Sequence, residues 1–123
     1  MTPVEVKLHQ VSSVLELIYE DGTNFDLPAE YLRVFSPSAE VQGHSLDEAV
    51  LQHGKMMVKI ANLKPQGHYA IRIEFSDGHN SGVFSWQYLY KLGKNQAAKW
   101  AEYLEKLEKA GKSREPQFIA VGR

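Results

Sequence analysis

The sequence predicts an α+β domain: a mainly antiparallel, twisted β-sheet with hairpins, plus C-terminal helices. Three observations carry this. Apolar and polar residues alternate in several short runs between Val4 and Phe75. Two of these runs end on Asp-Gly, at Asp21-Gly22 and Asp77-Gly78, a pair that tolerates the positive φ of tight hairpin turns. After Asn95 the spacing changes to that of an amphipathic helix.

The elements follow in order. Val4, Val6 and Leu8 alternate with Glu5, Lys7 and His9, a half-buried first strand. Gln10-Val-Ser-Ser13 turns the chain into a second strand, Val14 to Tyr19, and Asp21-Gly22 into a third, Thr23 to Leu27. Pro28 suits the first position of a short helical turn through Arg33, where a missing N–H costs nothing. Phe35 to Gly54 reads as a long loop, with a capping box at Ser45-Leu-Asp-Glu48 that allows one helical turn. Met56 to Leu63 is a strand with Val58 and Ile60 inward. Pro65-Gln-Gly67 then leads into a central strand with Tyr69, Ile71, Ile73 and Phe75 toward the core and Arg72 and Glu74 toward water.

Beyond Asp77-Gly78, a short strand leads to Ser85, an N-cap for a helix ending near Leu92 with Gly93 as a left-handed stop. The alternation of Phe84, Trp86, Tyr88 and Tyr90 also fits a strand. Asn95 caps a last helix, Gln96 to about Ala110, with Ala97, Trp100, Ala101, Leu104 and Leu107 on one face and Gly111 as its stop. Glu102–Lys106 and Glu105–Lys109 are favourable i,i+4 pairs. The expected domain is 1–111, followed by a flexible tail, 112–123. Strand, Asp-Gly, short strand and a helical turn containing Tyr-Leu occur twice, at Tyr31-Leu32 and Tyr88-Leu89. An old duplication or independent use of a common hairpin signal would each produce this.

Composition narrows the function. With 43% hydrophobic and 24% charged residues, the 123-residue chain can bury a core without metal or disulfides. There is no cysteine, which excludes thiol catalysis and thiolate ligation of zinc or iron–sulfur clusters by this chain. No apolar run reaches membrane-spanning length and no signal peptide precedes the first strand, so the expected location is cytoplasmic. The net charge of −1 is uneven. Residues 91–123 hold eight Lys/Arg against four Asp/Glu, the reverse of the acidic remainder. Their lysines alternate with glutamates, which describes a solvated helix face and not a nucleic-acid groove.

Asp77-Gly-His-Asn-Ser81, with a strand before it and Trp86 and Tyr88-Leu89 after, resembles the N-terminal domain of gamma-butyrobetaine and trimethyllysine hydroxylases. Leu27-Pro-Ala-Glu-Tyr-Leu-Arg33 followed by Ser36-Pro-Ser38 is similar to that family's other motif. The similarity runs from about Val6 to Gly93 and points to small stand-alone bacterial members long labelled a domain of unknown function. In the eukaryotic hydroxylases this domain holds zinc through three cysteines and one histidine, and the iron- and 2-oxoglutarate-dependent site lies in a separate domain. The resemblance therefore implies a non-enzymatic module here. Similar domains are also fused to P-loop ATPases of the iron–sulfur carrier class, which implies a protein partner of that kind and an accessory role in iron–sulfur or metal metabolism.

On this resemblance the zinc histidine is His79 and the cysteine positions are Ser36, Ser38 and Val41. A neutral hydroxyl is a poor zinc ligand and valine is none, so the expectation is no cofactor. The alternative is zinc held by His79 and the Ser36–His44 loop, with Glu40 or His44 as replacement donors. His9, His53 and His68 read as surface side chains, and Asp21 and Asp77 as turn residues. No Gly-Lys-Ser/Thr phosphate loop and no nucleophile with a defined base accompany them. Trp86, Tyr88 and Tyr90 are the candidate partner-binding surface, with core packing as the competing role for these rings.

Overall fold

The computed structural model describes residues 1–42 and 50–116. The capping box at Ser45–Glu48 and the candidate ligand His44 lie outside the described residues. Six strands form two three-stranded antiparallel sheets among them. The first contains β1 (Glu5–His9), β2 (Val14–Ile18) and β3 (Asn24–Pro28), and the second β4 (Ile60–Gln66), β5 (Ala70–Phe75) and β6 (Gly82–Ser85). Helix α1 (Ala29–Val34) follows β3, α2 (Ala39–Gln42) lies beyond it, and α3 (Trp86–Lys94) and α4 (Gln96–Ala110) follow β6. The antiparallel α+β class expected from the sequence holds, with the strands divided between two sheets.

Both Asp-Gly turns have one geometry. Gly22 N–H donates to Tyr19 O at 3.0 Å and Tyr19 N–H to Thr23 O at 2.9 Å. Gly78 N–H donates to Phe75 O at 3.1 Å and Phe75 N–H to His79 O at 2.9 Å. Gly22 and Gly78 both have φ 89°, the left-handed position of a three-residue hairpin loop. In each case the aspartate Oδ1 accepts the N–H two residues on: Thr23 at 3.0 Å and His79 at 3.2 Å.

The two strand–turn–strand–helix units also mirror one another across the core. The Tyr31 hydroxyl on α1 donates to Leu92 O on α3 at 2.7 Å, and the Tyr88 hydroxyl on α3 donates to Phe35 O, just past α1, at 2.6 Å. Each acceptor lies four residues beyond the other unit's tyrosine. The sequence repeat is thus a repeat in space, with Leu27 and Phe84, both fully buried, at matching positions before the two helices. One core joins the halves. Leu15, Leu17 and Leu27 of the first sheet pack with Ile71, Ile73, Phe75 and Phe84 of the second, and Leu89 and Leu92 of α3 close it. Ser13, with φ 55°, fastens the two sheets: its carbonyl accepts from Ala29 N–H at 2.9 Å and its hydroxyl from Ile60 N–H at 3.0 Å.

Several expectations are corrected. Tyr69 is 67% exposed and not core, because β5 begins one residue later and the Tyr69 carbonyl is used by Trp86 N–H. Arg72 and Glu74 are half-buried and paired with each other at 3.3 Å. The strand placed at Met56 starts at Ile60, and Met56 and Met57 are exposed. Gly93 does not stop α3 but lies inside it, where a Cβ would collide with the Phe25 ring. Asn95 makes no side-chain cap for α4; its amide donates back to Lys91 O at 2.9 Å and closes α3. Ser85 does cap α3, accepting from Tyr88 N–H at 3.0 Å, and Gly111 ends α4 at φ 65°.

The inward face of α4 is also rotated from the expected one. Tyr103 and Leu107 are buried with Val34, and Trp100 packs on them, whereas Ala97, Ala101 and Leu104 are exposed. The segment expected as tail makes contacts in its described part. Ser113 O and Arg114 O accept from Gly54 N–H and Met56 N–H at 2.8 and 3.0 Å.

Candidate functional site

The Asp77-Gly78 turn places His79 at the sheet end nearest the chain that leaves α1. Its imidazole is buried, with 6% of the residue exposed, and every ring nitrogen has a partner. Nε2 lies 2.9 Å from Ser36 Oγ and 3.2 Å from Ser38 Oγ, and Nδ1 lies 3.3 Å from Glu40 Oε2. A carboxylate only accepts, so Nδ1–H donates to Glu40 and Nε2 offers its lone pair to the two hydroxyls. Glu40 Oε1 accepts in turn from Ser81 Oγ at 2.8 Å. The backbone fixes the serines: Ser38 N–H points at Ser36 Oγ (3.4 Å), and Gln42 Nε2 donates to Ser36 O (3.0 Å). Gly82 lies so close that a Cβ there would be 2.6 Å from Ser36 Oγ.

Burial, together with the Arg33 charge, holds the His79 pKa below the ordinary imidazole value, against the opposing pull of Glu40 and Asp77. The ring is therefore neutral at pH 7, which agrees with Nε2 as an acceptor. Asp77 plays a different part. Burial raises its pKa, but hydrogen bonds from Lys55, His79 N–H and Arg33 outweigh this, and the carboxyl sits below the usual range. Its Oδ2 accepts from Arg33 Nε at 2.9 Å and Lys55 Nζ at 3.0 Å. Arg33 Nη1 also donates to Gln52 Oε1 at 3.0 Å. The aspartate thus holds the hairpin, α1 and the 50–55 segment together.

The structure brings His79, Ser36 and Ser38 into one cluster. Val41 is buried beside Glu40 on α2. The donor set does not fit a structural zinc ion, which needs four strong ligands. The cluster offers one imidazole whose lone pair faces two neutral hydroxyls, one exposed carboxylate and an alkyl group. No group of three or more His, Cys, Asp or Glu side chains able to hold a metal occurs among the described residues. Sequence reasoning missed Arg33, Lys55 and Ser81 as partners of this site. They approach from segments distant in sequence, and no spacing signals them.

Trp86, Tyr88 and Tyr90 are half-buried against the core. The Trp86 indole N–H donates to His68 O at 3.0 Å and the Tyr88 hydroxyl is held by Phe35 O. The Tyr90 ring packs edge-on to Tyr19 and Phe25, with centroids 5.2 and 5.5 Å away. All three rings therefore contribute to packing, and the exposed aromatic next to them is Tyr69.

In this chain a hairpin histidine faces a Ser-x-Ser segment that follows the Leu-Arg of a short helix. The family described as gamma-butyrobetaine hydroxylase-like, N-terminal, matches residues 6–90, and the chain belongs to it. Solved structures agree. One protein with an NMR solution structure is 48% identical over 99% of this chain and 96% of that one, with a TM-score of 0.83. A second NMR structure is 41% identical over 99% and 91%, with a TM-score of 0.79. A crystal structure of a protein of unknown function from the DUF971 family of Acidithiobacillus ferrooxidans is 37% identical over 75% and 92%, with a TM-score of 0.63. No curated protein matches. The matched family is an N-terminal domain, and no catalytic domain is evident in the described fold. No helix among the described residues is long and apolar enough to cross a membrane.

Proposed function

We propose that the chain is a non-enzymatic binding module that docks a protein partner, and that this partner is a P-loop ATPase of the iron–sulfur carrier class. The ATPase class comes from the fusions found among similar domains. One observation supports the non-enzymatic part: Ser36 Oγ, His79 and Glu40 stand in the order of nucleophile, base and orienting carboxylate, which the sequence did not signal, but Ser36 is 0% and His79 6% exposed, so the hydroxyl is closed to a substrate. For the docking face we favour Trp86 with Tyr69, a residue 67% exposed whose carbonyl accepts the Trp86 backbone N–H. A large aromatic held in place by its backbone offers contact area at low entropic cost.

The test mixes the purified chain with such an ATPase and follows complex formation by calorimetry. A complex should form, and Tyr69→Ser should weaken it by about tenfold or more, as loss of an aromatic anchor does. No complex at any accessible concentration would refute the partner. Stoichiometric succinate from 2-oxoglutarate, with the chain as sole protein, would refute the non-enzymatic reading. The zinc alternative rests on His79 and Glu40 alone among the described residues. Elemental analysis should find substoichiometric zinc, and a chelator should leave the melting temperature unchanged. Equimolar zinc that survives dialysis would reverse that expectation.

A further inference from the structure

Away from the His79 cluster, a cleft of about 650 Å³ opens between the start of α1 and the junction of α3 with α4. That volume is in the range of small-molecule sites. Pro28, Tyr31, Ala97 and Trp100 supply its apolar walls. Its polar end is built around Glu30, which is 7% exposed. Both carboxylate oxygens of Glu30 are taken by Arg114: Nε donates to Oε2 at 2.9 Å and Nη2 to Oε1 at 2.7 Å. The guanidinium lies over the Trp100 ring, 5.3 Å from its centroid. Arg114 is thus fixed from two sides, as bidentate pairing and stacking together require.

The spare donors at the cleft are cationic. Arg114 Nη1 has no hydrogen-bond partner among the described residues, and Lys94, also on the lining, forms no ion pair among them. The Lys94 Nζ lies 5.7 Å from the Tyr90 ring centroid. With the Glu30 charge neutralised by Arg114, the lining keeps one net positive charge beside a hydrocarbon wall. That combination selects an anion with a flat apolar body. We propose that this cleft is a binding site for a small aromatic carboxylate, with the acid at Arg114 and Lys94 and the ring against Trp100 and Ala97. The site is independent of the partner-docking face and of the His79 cluster.

Isotope-labelled full-length chain is titrated with indole-3-carboxylate, and separately with the neutral indole-3-carboxamide. Saturable shifts should appear at Gly93, Ala97 and the Trp100 indole N–H. The acid should bind about tenfold tighter than the amide, the scale of one charge-assisted hydrogen bond. Lys94→Gln changes an exposed side chain, so the fold survives it, and it should reduce the preference for the acid severalfold. Ala97→Trp, also at an exposed position, should fill the cleft and abolish the shifts. Equal affinity for acid and amide, shifts confined to other surfaces, or no saturation would each overturn the proposal.

Discussion

Replacing His79 with alanine tests the cluster most directly. The side chain is 3% exposed, and its removal strands the Ser36 hydroxyl, at 0% exposure, and the Ser38 hydroxyl, at 6%. A buried polar group left without a partner costs roughly 1–3 kcal/mol, more than the roughly 0.5–1.5 kcal/mol of one ordinary hydrogen bond. Ser36 Oγ keeps its contact with Ser38 N–H, which limits the loss, while the vacated ring volume against Phe75 adds to it. The expected destabilisation is about 2–4 kcal/mol. For a domain of this size that is a drop of roughly 6–15 °C in Tm.

The pH dependence has a definite sign. The folded His79 pKa is depressed below its ordinary value of 6.5. Below pH 6.5 the unfolded chain binds a proton that the folded chain does not, so the contribution to stability is complete above 6.5 and is lost as pH falls toward the folded value. The slope in that window is at most about 1.4 kcal/mol per pH unit for one proton. Urea unfolding of wild type and His79→Ala, followed by tryptophan fluorescence at neutral and mildly acidic pH, separates the two. The stability gap should narrow on acidification. A gap under about half a kcal/mol, the scatter of surface substitutions, or one that does not change with pH, would refute the reasoning.

Ile73 is fully buried between Leu63 and Gly82 on the neighbouring strands, and Ile73→Ala should cost roughly 2–5 kcal/mol in chemical denaturation. Gly93→Ala should destabilise by about 1–3 kcal/mol through collision with Phe25, despite the roughly 1 kcal/mol that alanine gains as a helix former; a more stable variant would show that the ring moves aside freely. Tyr31→Phe and Tyr88→Phe should each cost about 0.5–1.5 kcal/mol, and closely similar values would support the mirrored roles of the two hydroxyls.

Much of the fold was legible because the controlling interactions are short-range. The Asp21-Gly22 and Asp77-Gly78 turns require a left-handed glycine and an aspartate that accepts an N–H two residues away, and both requirements are written in adjacent letters. The Ser85 cap, the Gly111 stop and the Glu102–Lys106 and Glu105–Lys109 pairs are equally local. The nearness of His79 to Ser36 and Ser38 was legible through family motifs alone, since 43 and 41 residues separate the partners.

The errors have the opposite character. Gly93 looks like a helix stop until the Phe25 ring, brought from the other sheet, shows why no side chain fits. The expected α4 stripe holds at Trp100 and Leu107 but not at Ala97, Ala101 and Leu104, and Tyr103 is buried in their stead. That exchange was set by Val34 and by the Gln52 carbonyl, which accepts the Tyr103 hydroxyl at 2.7 Å. Glu30 and Arg114 meet across 84 residues, and Tyr31 reaches the Leu92 carbonyl across 61. Local φ preference and side-chain periodicity act over a few residues, so the sequence by itself determined the turns, most strands and two helix ends, at Ser85 and Gly111. Which faces are buried, which polar groups meet and where the clefts open depend on how the two mirrored halves pack, and only the tertiary structure decided those.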